Sequence, residues 1–255
     1  MGMPRSGTTA ALQYLTDGFN ACGKATVGVN EPFNHWFRLD KTHNGLELTC
    51  RQSPTMFTAE AVLARWNTVV AEAADRSLIM KHIFNLDIIP DNNSILDFML
   101  ASARGDWVVI RRRDRFEQFL SWLIGDHTDT WLTTSTASTD QHRKDTQAFT
   151  ANTAYVATWL ETEQAFETKV SELVHNGNTV HMVWYESIQH DCDAIGRRLC
   201  NASWDTWKSQ GWFSDPHANR IKKLRSFDEK AELIQNYTEI RELFQRGLDG
   251  TTTAR

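Results

Sequence analysis

The sequence predicts an α/β fold: three layers, with a mostly parallel central sheet flanked by helices and a P-loop-like phosphate loop at the N-terminus. Three observations predict it. Short apolar runs suited to buried strands alternate with longer segments of helical spacing, the pattern that gives parallel sheets. The segment from Asp106 begins as a continuous apolar run and changes to a helical period after Asp114. A glycine-bounded loop, Gly2 to Thr9, leads directly into a helix-compatible stretch.

Taken in order, the loop Gly2-Met3-Pro4-Arg5-Ser6-Gly7-Thr8-Thr9 precedes Ala10, Ala11, Leu12 and Leu15, which open the first helix. Residues 25–29 form a short strand, stopped by proline in Asn30-Glu31-Pro32-Phe33. Val62, Leu63, Trp66, Val69, Val70 and Ala73 mark a long helix, 78–82 a strand, 95–103 a helix and 108–110 a strand. Asp114 is a good N-cap, and Glu117, three residues on, completes a capping-box-like start for a helix whose apolar face is Phe116, Leu120 and Leu123. Residues 125–147 are polar, without apolar periodicity, and read as a lid loop. Tyr155, Val156, Trp159, Phe166, Val170 and Leu173 mark a further helix, followed by a strand over 180–184 that ends in Tyr185-Glu186. After the basic stretch 220–225, Ser226 caps a last helix carrying Leu233, Ile234, Tyr237, Ile240 and Phe244. With no repeat and no Pro/Gly/Ser linker, 1–255 reads as a single domain.

Composition bounds the partners. Charged residues at 23% and an apolar fraction of 41% are those of a globular protein, and a net charge of −5 offers no broad basic field for nucleic acid. No run is long enough for a membrane span, and Met1 stands directly before the loop without room for a leader, so a cytoplasmic location is expected. Cysteines at 22, 50, 192 and 200 form no Cys-x-x-Cys pair; free thiols and no metal are expected. The Asn-x-Ser/Thr triplets at Asn92, Asn201 and Asn236 read as chance, and most of the ten tryptophans as packing.

The loop's chemistry is specific. Glycine at 2 and 7 lets successive N–H groups converge on an anion, and a helix N-terminus adds its positive dipole end. A nucleotide triphosphatase would need lysine followed by serine or threonine after the second glycine, where this chain has Thr8 and Thr9. Arg5 supplies the cation instead, and Ser6, Thr8 and Thr9 supply hydroxyls, a set suited to a 5′-phosphate without magnesium. Arg113, at the carboxyl end of a buried strand, and Ser121, eight residues later on the following helix, suit a phosphate monoester. A solvated arginine cluster pairing with Asp114 and Glu117 is the plainer account of Arg111, Arg112 or Arg115.

Pro4-Arg5-Ser6-Gly7-Thr8-Thr9 resembles the 5′-phosphosulfate loop of the sulfotransferases that use 3′-phosphoadenosine 5′-phosphosulfate (PAPS), and the Arg113-to-Ser121 spacing resembles that family's grip on the 3′-phosphate. The order of elements follows the family across nearly the whole chain, and the Tyr185-Glu186 strand end looks like its late core strand. The resemblance implies transfer of a sulfuryl group from PAPS to a hydroxyl of a small molecule, carbohydrate, lipid or peptide, leaving PAP, with no metal. Glu31-Pro32-Phe33 resembles the branch in which glutamate is the base. Another branch has Lys-x-His with histidine as base; here Lys81 and His82 are adjacent, which makes Lys81 the inward, charge-stabilising residue and weakens His82 as the base. Two departures stand out: only Met1 to Met3 precede the loop where the family has a central strand, and Ala10 replaces the aromatic residue that stacks on adenine in several members. The rival readings are a P-loop kinase or nucleotidase, and a non-catalytic PAP-binding module.

Overall fold

The computed structural model describes residues 1–34, 37–42, 45–50, 58–84, 105–128, 147–209 and 227–252. In chain order the elements are α1 (Thr8–Ala21), β1 (Thr26–Val29), β2 (Phe37–Thr42), β3 (Gly45–Cys50), α2 (Ala59–Ala73), β4 (Ser77–Met80), β5 (Asp106–Arg111), α3 (Arg115–Thr128), α4 (Ala154–His175), β6 (Thr179–Trp184), a 3₁₀ turn (Tyr185–Ser187), α5 (Ile188–Cys200), α6 (Ala202–Ser209), α7 (Phe227–Leu233) and α8 (Tyr237–Thr252). The fold is α/β with small parallel sheets. The chain divides into two compact units, Met1–Arg111 with Lys169–Gln210, and Arg112–Thr168 with Gly211–Arg255.

In the first unit β1 pairs in parallel with β4, and β5 with β6. Gly2 bridges in parallel to Ile83 on one side and to Ile110 on the other. Its N–H donates to the His82 carbonyl (3.2 Å), its own carbonyl accepts from Phe84 (3.0 Å), and the Met1 carbonyl accepts from Ile110 (2.8 Å). Met1 to Met3 thus run as a brief extended segment, with both methionines buried. Glycine is required there, since a Cβ on Gly2 would lie 2.5 Å from Ser6 Oγ and 2.8 Å from the Ile110 carbonyl oxygen.

One expectation needs correction. β2 and β3 form an antiparallel hairpin, register Phe37 to Cys50 and Thr42 to Gly45, where no strand was expected between the stop at Pro32 and the helix of Val62. Leu46 and Leu48 alternate with Glu47 and Thr49, the period of a strand with one apolar face.

α1 buries Ala11, Tyr14, Leu15, Gly18 and Phe19, a stripe at helical spacing. It packs on α5, α6 and β1. Trp204, fully buried, stands edge-on to Tyr14 (centroids 5.7 Å apart, planes at 87°) and packs on Phe19 (5.6 Å). Its Nε1 donates to Asp193 Oδ1 (3.1 Å), which also accepts the Tyr14 hydroxyl. Asp193 is 1% exposed. Burial and that carboxylate push the Tyr14 phenol above the usual tyrosine range. Asp193→Ala leaves two buried donors without this acceptor and is expected to destabilise the fold by about 3 kcal/mol in urea unfolding, with Asp193→Asn markedly milder because it keeps an acceptor oxygen. Equal losses for the two variants would show that the acceptor is not what matters.

In the second unit, Asp114 caps α3 as expected, its Oδ1 accepting the Glu117 N–H (2.7 Å). The return half of a capping box is replaced: the Glu117 carboxylate is taken by Arg112 and Lys230. Phe116, Phe119 and Trp122 of this helix form an aromatic core with Trp159 and Phe244, with centroids 5.2 Å apart for Phe116–Phe244 and 5.5 Å for Trp122–Trp159. The last helix, expected as one, is two. Phe149 bridges Ile234, donating to the Leu233 carbonyl (2.8 Å) and accepting from Gln235 (2.9 Å), which takes up backbone groups that a continuous helix would use. The Asn236 amide then locks both ways onto Ala151, accepting its N–H (2.9 Å) and donating to its carbonyl (3.0 Å).

The polar stretch 125–147 divides: 125–128 complete α3, while 129–146 lie outside the described residues, as do the helix expected over 95–103, the basic run 220–225, and Ser226. No helix among the described residues is long and apolar enough to cross a membrane. Cys22, Cys192 and Cys200 are unbridged, and burial pushes the Cys192 thiol up to about 12.

Candidate phosphate and proton-transfer site

The site lies in the first unit, where parallel pairing sets its geometry. Val29 is opposite Met80, and the Lys81 N–H donates to the Val29 carbonyl (2.9 Å). The residues just past the carboxyl ends of β1 and β4 therefore emerge side by side, the position at which open α/β sheets collect ligands. Lys81 Nζ donates to Glu31 Oε1 (2.5 Å) and to Thr9 Oγ1 (2.6 Å). Their side chains are 4% exposed for Lys81 and 14% for Glu31. One buried ammonium thus ties the first turn of α1 to the carboxylate after β1. Burial makes both charges expensive unless they pair.

The loop itself turns through two left-handed residues. Arg5 (φ 60°) and Gly7 (φ 90°) flank Ser6 in left-handed conformations, a backbone arrangement that turns N–H groups toward one concavity. At Gly7 any other residue would be strained, and its Cβ would sit 2.6 Å from the Tyr185 ring. Gly7 is the N-cap of α1, yet no side chain caps that helix and no acid lies in its first turn. Among the described residues, no side chain meets the N–H groups of that first turn or the positive dipole end. Ser6 is 0% exposed, and its Oγ has no hydrogen-bond partner among the described residues. A buried hydroxyl without a partner is costly, and a phosphate or sulfate oxygen would satisfy it.

Of the residues singled out from sequence, Glu31, Lys81 and Thr9 are joined directly by hydrogen bonds. Ser6, Gly7 and Thr8 lie in the turn and first residue of α1, and Arg5, partly exposed, opens that turn. His82 is 3% exposed, and its carbonyl holds Gly2.

Arg113 and Ser121 belong to the second unit. Arg113 is exposed, whereas Ser121 is buried, its hydroxyl donating to the Glu117 carbonyl (2.9 Å) and accepting from Lys230 Nζ (2.6 Å). Lys230 also donates to Glu117 Oε1 (3.1 Å), and Arg112 to Oε2 (2.8 Å). Arg112 therefore pairs with Glu117 as the arginine-cluster account expects, but in a buried setting instead of a solvated one, while Arg115 pairs with Glu163 near the surface.

No protein-family model matches the chain, and comparison with curated proteins and with solved structures returns no significant match. The functional reading therefore rests on the residues themselves.

Two residues of evident consequence escape sequence reasoning. Asn34 donates through Nδ2 to Glu31 Oε2 (2.8 Å), and Lys230 is the buried cation beside Ser121. Asn34 follows Glu31 by three residues across Pro32-Phe33, a spacing at which asparagine habitually bonds within a turn; Lys230 stands one turn ahead of the apolar pair Leu233-Ile234. Among the described residues, no group of three or more His, Cys, Asp or Glu could hold a metal ion.

Proposed function

We propose that this chain is a sulfotransferase that moves a sulfuryl group from PAPS to a hydroxyl acceptor. The observation that carries the reading is the Lys81 bridge between Thr9 at the start of α1 and the Glu31 carboxylate, which joins a loop-side hydroxyl, a cation and a carboxylate. The bridges of Gly2 to Ile83 and Ile110 support the finer fold expectation, a parallel order β1–β4–Gly2–β5–β6 within a three-layer domain whose phosphate loop springs from the middle strand position.

In this reading Arg5, Ser6, Gly7, Thr8 and Thr9 hold the 5′-phosphosulfate, with the unpartnered Ser6 hydroxyl and the uncapped start of α1 as donors. Lys81 offsets charge on the transferring group. Glu31 accepts the proton of the acceptor hydroxyl as the new oxygen–sulfur bond forms and the bond from sulfur to the phosphate oxygen breaks, an in-line exchange that ends with PAP and a sulfate ester. Arg113 and Ser121 carry the 3′-phosphate assignment on the strength of their spacing. A cytoplasmic location and a small-molecule, carbohydrate, lipid or peptide acceptor complete the proposal.

Titration calorimetry tests the donor class. PAP is expected to bind without magnesium and more tightly than ATP, and Arg113→Ala to weaken PAPS and PAP. Magnesium-dependent ATP binding with no affinity for PAP would replace the reading with a P-loop kinase or nucleotidase. PAP binding without transfer from radiolabelled PAPS to glucose, phenol, a long-chain alcohol or a tyrosine peptide, or to broader acceptor pools, would favour a non-catalytic module.

A further inference from the structure

We propose that Asn34 is a positioning residue that fixes the plane of the Glu31 carboxylate, a role that rests on Glu31 being the base. The final torsion of a glutamate is broad, so a single donor on one oxygen leaves the carboxylate free to swing. Here the two oxygens are held by different elements: Oε1 by Lys81, from the end of β4, and Oε2 by Asn34 Nδ2 at 2.8 Å. Each oxygen has a further lone pair, so both grips leave room to accept a proton.

The local backbone serves the same end. Glu31 has φ 41°, left-handed and unfavourable for a residue with a Cβ, and the turn after it is closed by the Asn34 N–H on the Glu31 carbonyl (3.0 Å). That closure uses the Asn34 backbone alone. The side-chain amide is therefore an additional contact directed at the carboxylate, and it is 7% exposed, where an amide is costly without hydrogen bonds. Removing it leaves the turn's backbone bond in place and releases one carboxylate oxygen.

The test follows transfer from radiolabelled PAPS to whichever of the acceptors above is labelled most, in the full-length chain. Asn34→Ala and the isosteric Asn34→Asp are expected to lower kcat by about tenfold to a hundredfold, while KM for PAPS and the affinity for PAP stay within about twofold for Asn34→Ala and weaken for Asn34→Asp, which adds a negative charge beside Glu31. Bound PAP reports that each variant is folded, and Asn34→Asp decides the matter if Asn34→Ala does not fold. The decisive arm is a double-mutant cycle: in the Glu31→Gln background, adding Asn34→Ala is expected to cost nothing more, because the group it orients is gone. An undiminished effect in that background would assign Asn34 a general structural role and overturn the proposal. Full activity of both Asn34 variants beside an inactive Glu31→Gln would overturn it while leaving the base in place. Full activity of Glu31→Gln itself, or no transfer by the unaltered chain, would remove the base assignment and the positioning role with it.

Discussion

On the proposed sulfotransferase reading, replacing Glu31 by glutamine is expected to slow sulfuryl transfer by about a hundredfold to ten-thousandfold and to leave PAP bound as tightly as before, or more tightly. Glutamine has the shape of glutamate and keeps an oxygen for Lys81, so the volume beside the loop is preserved, while its NH2 faces Asn34 Nδ2 and gives up that hydrogen bond. What it loses is the ability to take a proton. It also removes a negative charge linked through one ammonium to the hydroxyl of Thr9 at the anion loop. A like charge beside a phosphate is repulsive in a partly desolvated site, so the sign of the change in PAP affinity is fixed toward tighter binding. Measuring kcat and PAP affinity on one preparation separates the two effects. Unchanged turnover would transfer the base role to the buried His82, and weakened PAP binding would show that the carboxylate organises the cradle instead of serving it.

Glu117→Gln is expected to be the most destabilising single change in the second unit, at about 3–5 kcal/mol. Its carboxylate is bound by Arg112 on one oxygen and by Lys230 on the other, and all three residues are under a tenth exposed. Neutralising Glu117 weakens the pairing of two buried cations at once. Lys230→Met, by contrast, leaves Arg112 and Glu117 as a matched pair and fills the space with an apolar chain, so it is expected to cost at least about 1 kcal/mol less. Urea unfolding of the two variants checks the order. A Lys230→Met loss equal to or larger than that of Glu117→Gln would mean that Glu117 is not the hub, and that the contact of Lys230 with Ser121 dominates.

The parts of this molecule that sequence makes legible are those governed by short-range rules. The glycine loop and the helix from Thr8, the capping Asp114, and the apolar strands around Val109 and Val183 follow from backbone freedom, side-chain bonding and hydrophobic period, each confined to a few residues. The joining of Glu31, Lys81 and Thr9 was accessible because parallel strands present their carboxyl ends together. Long-range contacts were not. The break at Ile234 depends on a bridge from Phe149, and the helical spacing of Leu233, Tyr237 and Ile240 runs through it without a sign. Burial of Lys230 depends on a carboxylate 113 residues away. Asn34 was hidden because an asparagine after Glu-Pro-Phe is explained sufficiently by turn preference alone. The hairpin is different in kind: Leu46, Glu47, Leu48 and Thr49 alternate at strand period, a signal local to the sequence itself.

The interleaving of the two units along the chain has a consequence for biosynthesis. Phe116, Phe119, Trp122 and Trp159 leave the ribosome well before Phe244, which packs on Phe116 and Phe119, and before Ile234 and Asn236, which tie residues 149–151 in place. In between, Lys169–Gln210 is delivered to the other unit. During that interval a cluster of aromatic rings waits without part of its cover, the kind of nascent surface that chaperones bind and that aggregates when they are scarce.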